Sequence, residues 1–434
     1  IRDNHLGDWG TQFGMLGKAY ELWKDDIPEL SQPGLELKGL QILYARMNRQ
    51  LAVEEAAAEK VETEGRKSKV NTSPLADAGR EWFARLESGD QQAIALWKWA
   101  SELSLTEFRR VYDQLGTKYD YMLGESFYVG MLGPTVEALK NQGVAQQDDR
   151  SRMVVNLEAE GLKPLVIQKS DGTSLYATRD MATLLARTAW FQPEKIVYVV
   201  GGEQADYFAQ VFATFKRLVP DAPELVHIGF GFVKDKDGQK FSTRAGNQVF
   251  LTDVIETSTA KARAKIKGNA VDGETLARQV GVGAVIYMDL HQSRDRTIKF
   301  DIDTALVAEG NTSTYLQYNR ARALSILGKA QEEGINLDYD VDIDITTDTQ
   351  WDLVKQLAQF PEVIAQALED YEPYKIAENI YQVAALFSQF YQETSVLKEE
   401  NPILKNSYLR LCQATAQVIK NGLYLLGIEA PERM

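Results

Sequence analysis

KIVYVVGGEQADYFAQVFATFKRL, residues 195–218, decides the fold class. Ile196 to Val200 form a continuous apolar, largely β-branched run that stops at Gly201-Gly202. Such a run reads as a strand buried on both faces of a parallel sheet. Phe208, Val211, Phe212 and Phe215 then recur at one face of a helix. Strand, Gly-Gly, helix is a βα unit, so this region reads as doubly wound α/β. Ligands in such sheets sit at the carboxyl ends of strands, here near Gly201, Gly202 and Gln204.

Upstream, LVIQ (165–168) reads as a short strand closed by the turn signal Asp171-Gly172. SLYATRD leads from it into a helix with Met181, Leu184, Leu185 and Thr188 on one face. Tyr176 and Asp180 stand four apart at this junction. In the first helical turn Asp180 would be favoured by the helix dipole alone. A carboxylate and a phenol converging at a strand end would also suit a guanidinium. Gln204 reads either as a plain helix cap or as an amide that grips a substrate's polar head.

Residues 21–160 read as mostly helical. In TEFRRVYDQL, Phe108, Val111, Tyr112 and Leu115 share one face, and the charged stretch from Val53 to Lys69 is a solvated helix running into a loop. From about residue 301 the chain reads as an all-α bundle. Leu316, Ala323, Leu327 and Ala330 mark one helix face, and Leu411, Thr415, Val418, Gly422 and Leu425 mark another.

Composition narrows the function. The net charge of −14 argues against coating nucleic acid by bulk attraction, without excluding a local basic track. The single cysteine, Cys412, excludes a disulfide framework and fits a reducing cytoplasm. No apolar run reaches the roughly 18 residues of a membrane span. His5, His227 and His291 lack metal-ligand spacing, so no metal site is expected in the chain. Neither G-x-x-x-x-G-K-[ST] nor G-x-G-x-x-G occurs, which argues against the common phosphate loops.

Two stretches ask for a ligand. HLGDWGTQFG (5–14) fits either a tight turn around a buried tryptophan or a glycine-rich binding loop. DGQKFSTRAGN (237–247) sets Lys240, Ser242, Thr243 and Arg244 between Gly238 and Gly246. It is either a solvated hairpin or a loop whose cations and hydroxyls meet phosphates.

Taken in order, these strings resemble the class I arginyl-tRNA synthetases across essentially the whole chain. HLGDWGTQFG resembles the family's Gly-Asp-Trp-Gly block. EWFARLESGD, LWKWASELSLTEFRRVYDQLG and LGESFY resemble its connective insertion. LVIQKSDGTSLYATRDMA resembles its substrate-binding strand and helix. DGQKFSTRAGN stands in the place of its Lys-Met-Ser-Lys-Ser-type loop, and EGNTSTYLQYNRARA with the terminal LGIEAPERM resembles its anticodon-binding helices. The resemblance implies a Rossmann-like parallel sheet, incomplete in its first half and carrying a helical insertion, then an all-α anticodon-binding bundle. The implied boundaries are 1–20 for the end of the first Rossmann half, 21–160 for the insertion, 161–255 for the second half, 256–300 for a connecting helical region and 301–434 for the bundle.

The resemblance further implies an arginine–tRNA ligase using ATP, with Mg2+ accompanying the ATP and no prosthetic group. Tyr176, Asp180 and Gln204 would hold arginine, with Asp180 facing the guanidinium. Gly201, Gly202, Phe232, Val233 and Lys240 would contact ATP. Lys240, Ser242 and Arg244 would act on its phosphates. Tyr315, Tyr318, Arg322 and Met434 would meet tRNA-Arg. A cytoplasmic monomer is expected. Three departures stand out. The His-x-Gly-His block is absent, which implies a longer natural protein. Position 207 is Tyr where many relatives have His, and position 245 is Ala where a Lys is usual. An inactive relative that still binds tRNA or arginine is the alternative.

Overall fold

A computed structural model describes residues 1–63, 73–234, 238, 249–266, 272–335 and 343–434, with the side chains of 57–63 set aside. By internal contacts the chain divides into two units. The first holds Ile1–Asp113 and Lys118–Ile228; the second is built mainly from Val249–Met434.

In the first unit, β1 (Asp3–Leu6) is followed by α1 (Thr11–Trp23), α2 (Glu36–Thr63), α3 (Pro74–Glu87) and α4 (Gln91–Leu115). These helices bear out the expected helical stretch. α3 begins where Ser73 accepts from the Ala76 amide with Pro74 at the first helical position, two features that favour a helix start. β2 (Tyr121–Gly124) then pairs parallel with β1. After α5 (Leu132–Asn141), β3 (Gln146–Gln147), β4 (Met153–Val155) and β5 (Leu165–Gln168) make an antiparallel sheet. α6 (Tyr176–Phe191), β6 (Lys195–Gly201), α7 (Ala205–Leu218) and β7 (Glu224–Phe230) complete the unit, with β6 beside β7. Phe208, Val211, Phe212 and Phe215 of α7 are all buried, as their spacing requires. They join Met181 and Leu184 of α6 and Ile167 of β5 in one apolar core.

The reading of β6 needs correction. Tyr198 and Gly201 are buried, whereas Val197 and Val199 are 40% and 63% exposed. A strand presents alternate residues to opposite faces, and only one face of β6 meets the α7 core. In α4 the expected stripe is also incomplete: Phe108 is exposed and meets only the neighbouring Tyr112 ring among the described contacts.

The second unit contains β8 (Val233–Lys234), α8 (Leu251–Lys265), α9 (Gly273–Leu290), β9 (Ile298–Lys299) and α10 (Ile302–Ala305), with β8 parallel to β9. Then come α11 (Ser313–Glu332), α12 (Asp348–Ala358), α13 (Phe360–Asp370), α14 (Tyr374–Glu393) and α15 (Pro402–Leu425). Leu316, Ala323 and Ala330 are buried on α11 as expected, around Phe387 and Phe390 of α14. On α15 the buried stripe runs through Cys412, Thr415, Ala416, Ile419 and Leu423, and Leu425 is exposed. Of the expected stripe, Leu411, Thr415 and Gly422 are buried and Val418 is partly buried against the same core, so only Leu425, the last residue of α15, departs from it. Gly422 lets α14 come close, since a Cβ there would lie 2.3 Å from Ile380 Cγ2.

Candidate active site

The first turn of α6 is built by Thr178. Its hydroxyl accepts from the Leu175 amide and donates to the Ile167 carbonyl, which fixes the helix start to the end of β5. α6 begins at Tyr176, so Asp180 is its fifth residue and no acidic residue occupies the first turn. The helix-dipole reading of Asp180 therefore falls. The Asp180 carboxylate instead accepts a hydrogen bond from the Tyr207 hydroxyl of α7. Burial raises its pKa, opposed first by that hydrogen bond and then by the fields of Arg187 and Arg179. The Tyr207 phenol is pushed far up by burial and by Asp180, so it stays a donor. A carboxylate is thus held half-buried, with only one of its oxygens engaged by Tyr207.

Around Asp180 lie two buried ion pairs that spacing does not reveal. Arg179 Nη1 donates to Glu125 Oε2 at 2.9 Å, with both residues buried. Arg187 bonds Asp3 at 2.9 Å and the Tyr198 hydroxyl at 2.9 Å. The Arg179 guanidinium also sits 5.2 Å from the ring centre of Tyr176, whose own side chain is exposed. Asp3 and Glu125 reach α6 from the β1–β2 side of the unit. No sequence signal short of that strand pairing could have joined residues 54 and 184 positions apart.

The glycine-rich block at 5–14 has a structural duty. The Asp8 carboxylate accepts from both the Ser126 amide (2.9 Å) and the Ser126 hydroxyl (2.6 Å). Trp97 donates its indole N–H to the Asp8 carbonyl, and Trp9 packs edge-on against Phe83 and Trp97. Gly124 faces Asp8 so closely that a Cβ would fall 2.2 Å from its carboxylate. The segment forms a tight turn with Trp9 partly buried, and the turn anchors the segment that carries Glu125. Burial lowers the pKa of His5, beside it, to about 4.

The remaining expected site residues are spread out. Gln204 caps α7 by position but makes no side-chain cap bond, and it is exposed. Gly201 is buried and Gly202 exposed at the end of β6. Phe232 and Val233, in the second unit, are 42% and 43% exposed. Lys240, Ser242 and Arg244 lie outside the described residues. Arg322 of α11 lies over the rings of Tyr318 of α11 and Tyr391 of α14, at 4.6 and 4.9 Å from their centres, while Tyr315 is half-buried against Tyr381. Arg320, unnoticed in the sequence, donates to the Ala430 and Pro431 carbonyls and so pins the tail that ends in exposed Met434. A cavity of about 470 Å³ lies elsewhere, between α9, β9 and the start of α11, lined by Tyr287, His291, Lys299 and Thr312 among others. Asp180 has no part in it.

Comparison with known proteins accounts for the whole chain. The family described as tRNA synthetases class I (R), catalytic domain, matches residues 1–302. The DALR anticodon binding domain matches residues 316–434. An arginine–tRNA ligase of Chloroflexus aggregans is 39% identical over 442 residues, covering 100% of this chain and 73% of the relative. One from Exiguobacterium sibiricum is 40% identical over 435 residues, covering 99% of this chain and 72% of the relative. Among solved structures, the arginyl-tRNA synthetase of Plasmodium falciparum superposes with a TM-score of 0.77 at 27% identity, over 100% of this chain and 70% of that one.

Proposed function

The chain belongs to the class I arginyl-tRNA synthetases, and from that premise we propose how its residues divide the work of an arginine–tRNA ligase. The reaction joins arginine to tRNA-Arg with ATP as a substrate. The arginine carboxylate attacks the α-phosphorus of ATP and pyrophosphate leaves; a hydroxyl of the terminal ribose then attacks the carbonyl of the adenylate, loses its proton and takes the arginyl group as AMP leaves. No covalent link to the protein is needed, so orientation and charge supply the catalysis.

The observation that carries the proposal is the Asp180 carboxylate, half-buried and held by Tyr207 with one oxygen left for a ligand. A guanidinium paired to it would be recognised by charge and by fixed hydrogen-bond geometry. Tyr176 and Gln204, exposed near the starts of α6 and α7, would bind the rest of the amino acid. Gly201, Gly202, Phe232 and Val233 would border the nucleotide. Lys240, Ser242 and Arg244 would offset the charge that grows on the phosphates. Mg2+ would arrive on the triphosphate and screen its charge. Tyr318, Arg322 and Met434, exposed or ringed by aromatics on the bundle, would meet the anticodon arm, with Tyr315 behind them. The protein would act as a cytoplasmic monomer, and no described helix is long and apolar enough to cross a membrane.

Arginine-dependent exchange of pyrophosphate into ATP, with tRNA-Arg present, tests this division. Asp180→Asn should weaken arginine by about 1.5–3 kcal/mol, the range for a hydrogen bond to a charged group. Unchanged arginine affinity in that variant would remove Asp180 from the site.

A further inference from the structure

The loop between α9 and β9, residues 291–297, is the ledge on which β8 rests. The Gly231 amide donates to the Arg294 carbonyl at 2.8 Å, and the Ile298 and Phe300 amides donate to the Phe232 and Lys234 carbonyls, each at 2.8 Å. Gly231 comes so close to this loop that a Cβ there would fall 2.2 Å from the Arg296 carbonyl oxygen. β8 has two residues and, among the described strands, pairs with β9 alone. So short a ladder fixes little by itself. The placing of Phe232 and Val233 therefore depends on where the loop is held.

The loop is held from the junction of α13 and α14, where Glu372 keeps only 14% of its side chain exposed. Its carboxylate accepts from the Arg294 guanidinium at 2.6 Å. It also accepts, more loosely, from the Arg294 amide at 3.4 Å and from the Ser293 hydroxyl, shared with Asp295, at 3.2 Å. A charge-assisted contact of this length, with water largely excluded, is strong and directional. The turn that aims Glu372 is strained. Tyr371, just before it, has a φ of 55°, a left-handed conformation that bulky residues rarely adopt. The Glu372 amide donates to the Ala367 carbonyl at 2.9 Å and closes the end of α13. Strain of this kind persists only where the surroundings over-determine it.

From this arrangement we infer that Glu372 is a positioning residue for ATP: it fixes the loop at Ser293 and Arg294, and through that loop the Phe232–Val233 edge. The inference rests on the place proposed for Phe232 and Val233 beside the nucleotide. Glu372 itself touches no substrate. It belongs to the stretch matched by the anticodon binding domain, whereas Arg294, Phe232 and Val233 belong to the stretch matched by the catalytic domain. Nucleotide affinity would thus depend on a side chain supplied from outside the catalytic domain. An ion pair that only added stability would lower the melting temperature without distinguishing ATP from arginine.

The test is pyrophosphate exchange into ATP by the full protein with saturating tRNA-Arg, read as the ATP KM, the arginine KM and kcat. Glu372→Gln and Arg294→Met should each raise the ATP KM about five- to tenfold, a modest share of what a small misplacement can cost. The arginine KM should stay within about twofold. The double variant should be no worse than either single one, because all three break the same contact. Arg294→Lys keeps a charge for Glu372 and should hold the ATP KM within about threefold of wild type, which keeps the inference testable if Glu372→Gln unfolds. It is overturned if the ATP KM is unchanged in Glu372→Gln, if the arginine KM rises in parallel with it, if the two single effects add, or if Arg294→Lys is as impaired as Arg294→Met. Gly231→Ala, run alongside, presses a methyl against the Arg296 carbonyl and displaces the same strand without touching Glu372. A raised ATP KM there with none in Glu372→Gln overturns this inference alone. No rise in either variant removes Phe232 and Val233 from the border of the nucleotide, and this inference with them.

Discussion

The α6 region and the C-terminal bundle bury their residues on opposite terms. Around α6, charges go inside: Arg179 with Glu125, Arg187 with Asp3, and Asp180 under Tyr207. In the bundle, the core of α11, α12, α14 and α15 is apolar, with Leu316, Leu353, Ile380, Phe387 and Phe390 fully buried. Of its cations, Arg322 stacks on exposed tyrosines, while the buried Arg320 has no carboxylate beside it among the described hydrogen bonds and is spent on the backbone carbonyls of the C-terminal tail. Buried charge costs far more than buried hydrocarbon unless every charge is answered. The α6 region therefore gives up stability to hold its charges in fixed pairs. The bundle is a rigid scaffold that presents its chemistry on the outside.

Phe387→Ala sets the scale for the bundle. Emptying a fully buried ring from that core should cost about 3–5 kcal/mol. Denaturant unfolding should show this loss, with the arginine KM unchanged at temperatures where the variant is folded. A loss below about 1 kcal/mol would mean that the bundle core is not the close-packed scaffold described.

The charged region should instead respond to acid. His5 binds a proton in the unfolded chain near its usual 6.5 but only near 4 when folded, chiefly because it is buried. The unfolded state thus holds more protons between those values, and stability falls as the pH drops from about 6.5 toward 4. The expected loss is about 1–3 kcal/mol, given 1.36 kcal/mol per pKa unit and some solvent access. His5→Gln should remove that slope when unfolding is followed across this pH range. An unaltered slope would assign the acid sensitivity to other groups.

Tyr207→Phe sharpens the contrast further, since it deletes one hydroxyl and little volume. Arginine binding should weaken by about 1.5 kcal/mol, because the Asp180 charge loses a hydrogen bond that favours it. Thermal unfolding should move little. A large fall in the melting temperature with unchanged arginine KM would make Tyr207 a packing residue. The smallest effect belongs to the bundle surface. Arg322→Ala should cost about 0.5–1 kcal/mol of stability, the worth of an exposed cation–π contact. A filter-binding assay should nonetheless show weaker tRNA-Arg binding, with a shallower salt dependence.

Much of this was readable in residue order. The α7 face of Phe208, Val211, Phe212 and Phe215, the turn after β5 and the α11 stripe all follow from local periodicity, and all are found. Asp180 could be singled out because it follows a strand end, yet its partner could not. Tyr207 registered only as a departure from the expected histidine, and the contact exists because α6 packs beside α7. Periodicity failed where a segment is covered on one side only, as at Val197 and Val199 of β6, or where a helix ends, as at Leu425 of α15. Hydrophobic pattern reports what a residue could bury, whereas burial depends on what arrives against it.

The sequence by itself determined the α/β-then-helical order of the chain and the family, because these rest on local spacing and on motif strings. Tertiary structure alone decided which charges meet. Glu125 reaches Arg179, and Asp3 reaches Arg187, only once β1 pairs with β2 and α6 packs against the segment after β2. Electrostatics acts through space over a few ångströms, and no spacing along the chain encodes that distance.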